Sequence, residues 1–179
     1  MSGTKLAGGP TQDEIMAVSL FKLGLRSTDT LLEIGCGTGK VSVAAARSVK
    51  NVISLDRRQE AVTMAQTAAR AAGLHNISFF CTGGLDFLAA DTVYDCAFVG
   101  GTQQLALILP LLAKKVKRTI VINAVLLGTL AEAVTAMQQL GIFKEVVQVQ
   151  VTRSSPVADS IMFKPIDPVY VITGTGTAC

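Results

Sequence analysis

The sequence predicts an α/β protein: a mostly parallel, seven-stranded sheet with helices on both faces and a C-terminal antiparallel hairpin. Three observations carry this. Short aliphatic runs alternate with longer Ala- and Leu-rich stretches from about residue 12 to residue 140, the pattern of βαβ units. The first aliphatic run ends in a glycine-rich turn, Gly35 to Gly39, that opens into one of those stretches. Two β-rich runs then close the chain with nothing helical between them, which places an antiparallel pair at the end of the sheet.

Each element has its own signal. Residues 12–24 read as a helix, with Thr11 as N-cap, Glu14 three residues on, and Ile15, Val18 and Leu23 near helical spacing. Thr30–Ile34 is a short apolar strand, and a helix follows at about 40–49. Val52–Leu55 is a second strand closed by Asp56, and residues 58–72 are Ala-rich and helical up to Gly73. A third strand at about 77–81 ends at the Gly83-Gly84 turn. Tyr94–Val99 is a fourth, followed by Gly100-Gly101 and a helix at about 103–113. A fifth strand at about 118–123 precedes a helix at about 129–140 that stops at Gly141. The closing β-rich runs, about 144–153 and 161–173, are joined by a polar loop around Ser154–Ser160.

The 179 residues suit one domain, 1–179, with no linker, repeat or low-complexity block to divide it. Half the residues are hydrophobic and 16% are charged, enough apolar surface for a substantial core. Tryptophan is absent and aromatics are 5%, so that core must be aliphatic. A net charge of +3 falls well short of a nucleic-acid scaffold and suits a small anionic substrate. The apolar stretches Leu105–Ala113, interrupted by Pro110, and Ile120–Leu127, interrupted by Asn123, are shorter than the ~20 residues that span a bilayer. The opening MSGTKLAGGP has no apolar region of the kind a signal peptide needs. Cys36, Cys81, Cys96 and Cys179 form no CxxC pair and His75 is the one histidine. A structural zinc site is therefore not expected, and reduced thiols in a cytoplasmic protein are.

The densest signal is LLEIGCGTGK, Leu31 to Lys40, at a strand-to-helix turn. Gly35, Gly37 and Gly39 let the backbone turn tightly and approach a ligand, and the next helix offers free N–H groups. The dinucleotide fingerprint is G-x-G-x-x-G. Here the third glycine comes one residue early, and Glu33 precedes the first by two. This E-x-G-x-G-x-G spacing resembles the first motif of class I S-adenosylmethionine (SAM) methyltransferases, whose Rossmann-like sheet has the layout read above. Cys36 and Thr38 lie within the loop. Glu33 suits the methionine amine or the loop's own amides. Asp56 ends the second strand, where a carboxylate can accept both ribose hydroxyls or cap the next helix. The third strand ends in Cys81-Thr82-Gly83-Gly84, without an acid, so adenine binding falls to the backbone of Gly83 and Gly84 and to apolar walls such as Leu85.

The fourth strand continues Asp95-Cys96-Ala97-Phe98-Val99-Gly100-Gly101-Thr102. It lacks the Asn/Asp-Pro-Pro-aromatic clamp of enzymes that methylate base amines and the Pro-Cys of those that methylate cytosine C5. No general base stands out. Methyl transfer to an electron-rich, enamine-like carbon needs none, and catalysis then rests on positioning and exclusion of water.

GGPTQDEI (Gly8 to Ile15), LLEIGCGTG, VISLDR, YDCAFVGG, INAVLLGTLAEA and DPVYVITG, in this order over about residues 8–174, resemble the C15-methylating, decarboxylating methyltransferases of cobalamin (corrin) biosynthesis, the CbiT family. The chain is also similar to the C-terminal half of fused precorrin-6Y C5,15-methyltransferases. The resemblance implies a homotetramer that methylates C15 of a reduced tetrapyrrole of the cobalt-precorrin-6B or precorrin-6B type and removes the C12 acetate carboxyl as CO2. It also implies that Thr11, Gly35 through Gly39, Asp56 and Gly84 contact SAM, and that Gly100 and Gly101 let the flat macrocycle approach the methyl group. Thr82-Gly83-Gly84 and Asp167-Pro168-Val169 depart from the family's usual Gly-Asp-Ala and Asn-Pro-Val. A substrate with many carboxylates suits bidentate arginine, and Arg153, before the Ser154–Ser160 loop, is the candidate. No membrane or nucleic-acid partner is expected. The alternatives are a SAM methyltransferase acting on tRNA or protein and a non-catalytic SAM-binding subunit.

Overall fold

The computed structural model describes Gly9 and residues 11–178. Gly8 and Pro10 of the leading motif, and Cys179, lie outside the described residues. In chain order the elements are α1 (Asp13–Leu23), β1 (Thr30–Ile34), α2 (Lys40–Ala46), β2 (Asn51–Asp56), α3 (Gln59–Ala71), β3 (Ile77–Cys81), the single turn α4 (Gly84–Phe87), β4 (Tyr94–Val99), α5 (Leu105–Lys115), β5 (Val116–Ala124), α6 (Leu127–Gln139), β6 (Phe143–Val149), β7 (Thr152–Val157), β8 (Ser160–Pro165) and β9 (Val169–Thr175).

Seven strands form one sheet in the order β3-β2-β1-β4-β5-β9-β6. The first five are parallel, and β9 pairs antiparallel with both β5 and β6. Consecutive residues of β1 serve opposite faces. Leu31 packs with Cys96, Phe98, Val121 and Val171 beside α1 and α2, where Ile15, Leu23, Val41 and Ala45 are buried. Leu32 and Ile34 pack with Leu55, Val99, Ile122 and Ile172 beside α5 and α6. The near-continuous burial of β1 and β4 is that of parallel strands covered on both sides. The chain runs outward from β1 through β2 to β3, then returns to place β4 on β1's other edge. A crevice opens at that reversal, at the carboxyl ends of β1 and β4.

Two sequence expectations change. The Thr11–Glu14 capping box does not form: α1 starts at Asp13, Gln12 holds the cap position without a side-chain hydrogen bond, and Glu14 turns to Arg153 instead. Pro110 lies inside α5, as the helix expected at about 103–113 requires. The two closing β-rich runs are four strands. Pro165 ends β8, Pro168 precedes β9 without an N–H to donate, and the stretch 152–165 stands off as a β7–β8 hairpin in its own two-stranded sheet. The expected Ser154–Ser160 loop is mostly ladder; the turn is Ala158-Asp159, with Ala158 at φ 48°. The arm's base is tied by the Ile166 N–H to the Val151 carbonyl at 2.8 Å. Among the described residues, no helix is long and apolar enough to cross a membrane.

One buried ion pair fixes the lower end of the sheet. Asp29 is 3% exposed. Its carboxylate accepts from the Arg26 N–H at 2.7 Å and from the Arg118 guanidinium on β5, while its carbonyl accepts from the N–H groups of Lys50 and Asn51. Asp29→Ala removes the carboxylate partner of Arg118, leaving it the Gly24 carbonyl at 3.2 Å, and is expected to lower unfolding free energy by about 3 kcal/mol, read from the urea midpoint at unchanged m-value.

Candidate functional site

Two loops build the floor of the crevice. The N–H groups of Gly35 and Cys36 donate to the Leu55 carbonyl at 2.8 and 2.9 Å, and those of Gly100 and Gly101 both donate to the Ile34 carbonyl at 2.9 Å. The loops therefore touch backbone to backbone. A Cβ on Gly35, whose φ is +87°, would stand 2.4 Å from the Gly101 nitrogen. Gly39, at φ +78°, brings α2 against α3, where a Cβ would meet Ala65 at 2.7 Å.

Cavities of about 410 and 490 Å³ flank this floor. The first is lined by Ile34, Leu55, Ile108, Asp56, Thr82 and Gly84, with Gly101 at its edge. The second is lined by Thr11, Glu33, Cys36, Gly37, Thr38 and Lys40, and reaches Phe98, Asn123 and Asp167. Gly35, Gly100 and Arg58 border both. The structure thus brings most of the residues singled out in the sequence into one cleft. Three stand apart. Gly39 serves helix packing. Gly83 caps α4 while Gly84 reaches the cavity. Arg153 lines neither cavity and holds Glu14 in a two-pronged pair at 3.1 and 2.6 Å, near the start of α1. That hydrogen bond holds the Glu14 carboxyl below its ordinary value.

The two acids of the site meet opposite environments. Asp56 is 6% exposed. Burial pushes its pKa up, but the Arg58 side chain and the N–H groups of Arg58 and Gly37 outweigh burial and hold it below the usual carboxylate range. Its Oδ1 accepts from the Arg58 N–H and Nε, both at 3.0 Å; its Oδ2 accepts from the Gly37 N–H and an Arg58 terminal nitrogen, both at 3.0 Å. Glu33 is 1% exposed and faces hydroxyls rather than the loop amides. Ser42 and Ser54 both donate to its Oε2, the latter at 2.8 Å. Burial dominates there and pushes its pKa up to about 7. Burial, with the charges of Glu33 and Asp56, also pushes the Cys36 thiol up to about 12, so Cys36 is a neutral wall of the loop.

Other site residues escaped the sequence reading. Ser42 and Ser54 are polar residues inside apolar runs, VSVAAA and VISL, a signal that could have marked them as buried partners. Arg58 was visible in the Asp-Arg-Arg run, but not its return onto Asp56. Asn123, read only as an interruption, accepts from Ser19 Oγ at 3.0 Å, while its amide nitrogen is buried without a partner among the described residues.

Comparison with known proteins gives a concordant set of likenesses. A family model described as a precorrin methyltransferase domain matches residues 5–175. A relative from Methanosarcina mazei, named "Probable cobalt-precorrin-6B C(15)-methyltransferase (decarboxylating)", is 43% identical over 174 residues, covering 94% of this chain and 95% of its own. A crystal structure described as precorrin 8W decarboxylase, from Methanobacterium thermoautotrophicum, superposes with a TM-score of 0.89 at 28% identity, covering 94% of this chain and 92% of that one. One described as precorrin-6y C5,15-methyltransferase, from Geobacter metallireducens, gives 0.89 at 26% identity, covering 96% and 94%.

Glu33 allows a pH test with a definite sign. Its folded pKa, about 7, lies above the ordinary 4.5, so the folded protein holds an extra proton between those values. The stability contributed by the neutral form is fully present below 4.5 and is lost as pH rises through 7. Glu33→Gln keeps an acceptor for both serines and removes the titration. Its melting temperature is expected to fall less than wild type between pH 5 and 8, and to exceed wild type at pH 8. Calorimetry across that range checks it; parallel profiles would remove Glu33 as the titrating group.

Proposed function

The chain belongs to the precorrin methyltransferase family, and from that premise we propose that it transfers a methyl group from SAM to C15 of a cobalt-precorrin-6B- or precorrin-6B-type tetrapyrrole and removes the C12 acetate carboxyl as CO2. The observation that carries this reading is the two-chambered cleft at the sheet reversal. One chamber has the size and lining for a nucleoside, and the other begins where the glycine loops meet.

The residues present fit SAM. Ile34, Leu55 and Ile108 offer apolar walls to an adenine, Gly84 lets its edge approach, and Asp56 offers a carboxylate at the ribose end of that chamber. Gly35, Gly37 and Thr38 follow the chain toward Glu33 in the second chamber. The cofactor supplies a methyl group on a sulfonium, ready for an electron-rich carbon. The protein's part is positional. Gly100 and Gly101 carry no side chain between the chambers, so a flat ring can come close. Phe98, Val125 and Val169 line the second chamber and limit water there. Arg153 sits on the β7–β8 arm in a half-exposed pair with Glu14, where a substrate carboxylate can exchange for that partner.

We further propose a cytoplasmic homo-oligomer, a homotetramer as the resemblance implies. Cys36, Cys81 and Cys96 are free thiols, in keeping with a reducing compartment. Ile161 and Phe163, on one face of the arm, are 66% and 64% exposed, a surface suited to a neighbouring copy. Light scattering is expected to give four times the chain mass; a monomer at micromolar concentration would exclude this assembly.

The activity is tested by mass spectrometry of a precorrin-6B-type tetrapyrrole, cobalt-containing and metal-free, after incubation with the purified protein and SAM. Gain of one methyl with loss of CO2 is expected. SAM binding with neither change would overturn the substrate assignment.

A further inference from the structure

Lys40 is the first residue of α2, one step past the glycine loop, and it lines the second chamber. Its ammonium pairs with the Asp13 carboxylate at 2.8 Å. The Asp13 side chain stands at the start of α1 and is 71% exposed, so water competes for it and the pair is weak. The same charge helps to hold the Glu14 carboxyl low, but Glu14 takes its hydrogen bonds from Arg153. An ammonium carries three N–H donors. One serves Asp13, so a second carboxylate can join Lys40 with nothing displaced.

The other charged groups of the chamber decide which carboxylate fits. Glu33 is buried against Ser42 and Ser54, and burial favours its neutral form. Arg58 lies over Asp56. Asp167 also lines the chamber, with no hydrogen-bond or ion-pair partner among the described residues. A space that holds a lysine and an unpaired acid suits a ligand with both charges. The amino-acid end of SAM is such a ligand, with an α-carboxylate and an α-ammonium on one carbon. It is also the part of the cofactor that runs beyond the nucleoside chamber, along the loop that ends at Lys40.

We infer that Lys40 binds the α-carboxylate of the cofactor and sets the site's selectivity against nucleosides that lack that group. This rests on the cofactor reading proposed above and deepens it. The first chamber cannot make the distinction. Its Ile34, Leu55, Asp56 and Gly84 face only what SAM shares with 5′-methylthioadenosine, the adenine and the ribose. A carboxylate held at Lys40 fixes the far end of the cofactor, so that the sulfonium is anchored from both sides and its methyl group has one position to occupy.

Calorimetry on the whole protein with two ligands tests this. S-adenosylhomocysteine keeps the amino acid, and 5′-methylthioadenosine does not. Lys40→Met removes the charge at similar length. It is expected to weaken S-adenosylhomocysteine binding about 3- to 10-fold and to leave 5′-methylthioadenosine within about 2-fold of wild type. Lys40→Arg keeps the charge and is expected to keep most of the S-adenosylhomocysteine affinity. Unchanged S-adenosylhomocysteine binding by Lys40→Met overturns the inference. Equal weakening of both ligands also overturns it, because the lysine would then act on the shape of the glycine loop. The tetrapyrrole is the other source of carboxylates, and absorbance titration with a precorrin-6B-type compound separates it. Loss of tetrapyrrole affinity in Lys40→Met, with S-adenosylhomocysteine binding intact, would assign the lysine to the substrate instead. No S-adenosylhomocysteine binding by wild type overturns the cofactor reading and this inference together. Should Lys40→Met fail to fold, Lys40→Gln carries the same comparison.

Discussion

The backbone contact between Gly35 and Gly101 sets the geometry on which the rest of the cleft depends. Two strand ends are held at a separation that no side chain can enter, and the Leu55 and Ile34 carbonyls lock both loops at that spacing. Everything else takes its position from this junction. The first chamber opens on the β2 side and the second on the α1 side, and among the described residues the lining they share is Gly35, Gly100 and Arg58. A sheet reversal makes a crevice in any fold of this kind. Here the missing side chains leave two adjacent chambers that share a thin glycine wall.

The acids on either side of that wall have the same chemistry and opposite fates. Asp56 meets a guanidinium and backbone N–H groups, which favour charge. Among the described residues Glu33 takes its hydrogen bonds from two hydroxyls, and its burial favours the neutral form. The pairing resembles a division of labour. Asp56 is a charged, fully paired acceptor lining the first chamber, and Glu33 is a brace linking β1, α2 and β2.

Most of the sheet was legible because parallel strands and their crossover helices leave strong patterns. The aliphatic runs at β1 and β4 with the glycines after them, and the β2 run closed by Asp56, marked both the strands and the crevice. The closing segment was less legible, since β-propensity alone does not say which strands pair. Pro165 and Pro168 were the clues that divide the long run, yet only tertiary contact sends 152–165 into a separate hairpin. At the site, glycine spacing and Asp56 pointed to the cleft. Partner choice was invisible: that Glu14 holds Arg153 rather than capping α1, that Glu33 faces two serines, and that Arg58 folds back on Asp56 are all decisions of three-dimensional packing.

The separate ladder of the β7–β8 arm has a consequence for how the protein breathes. A two-stranded ribbon on its own is barely stable in water, and this one shares no hydrogen-bonded strand with the main sheet. Its amide protons can therefore exchange with solvent through opening of the arm alone, while those of β1 and β4 wait for unfolding of the whole core. The rim beside α1 can loosen and re-form many times within the lifetime of a folded molecule, without disturbing the register of the strands that carry the glycine loops.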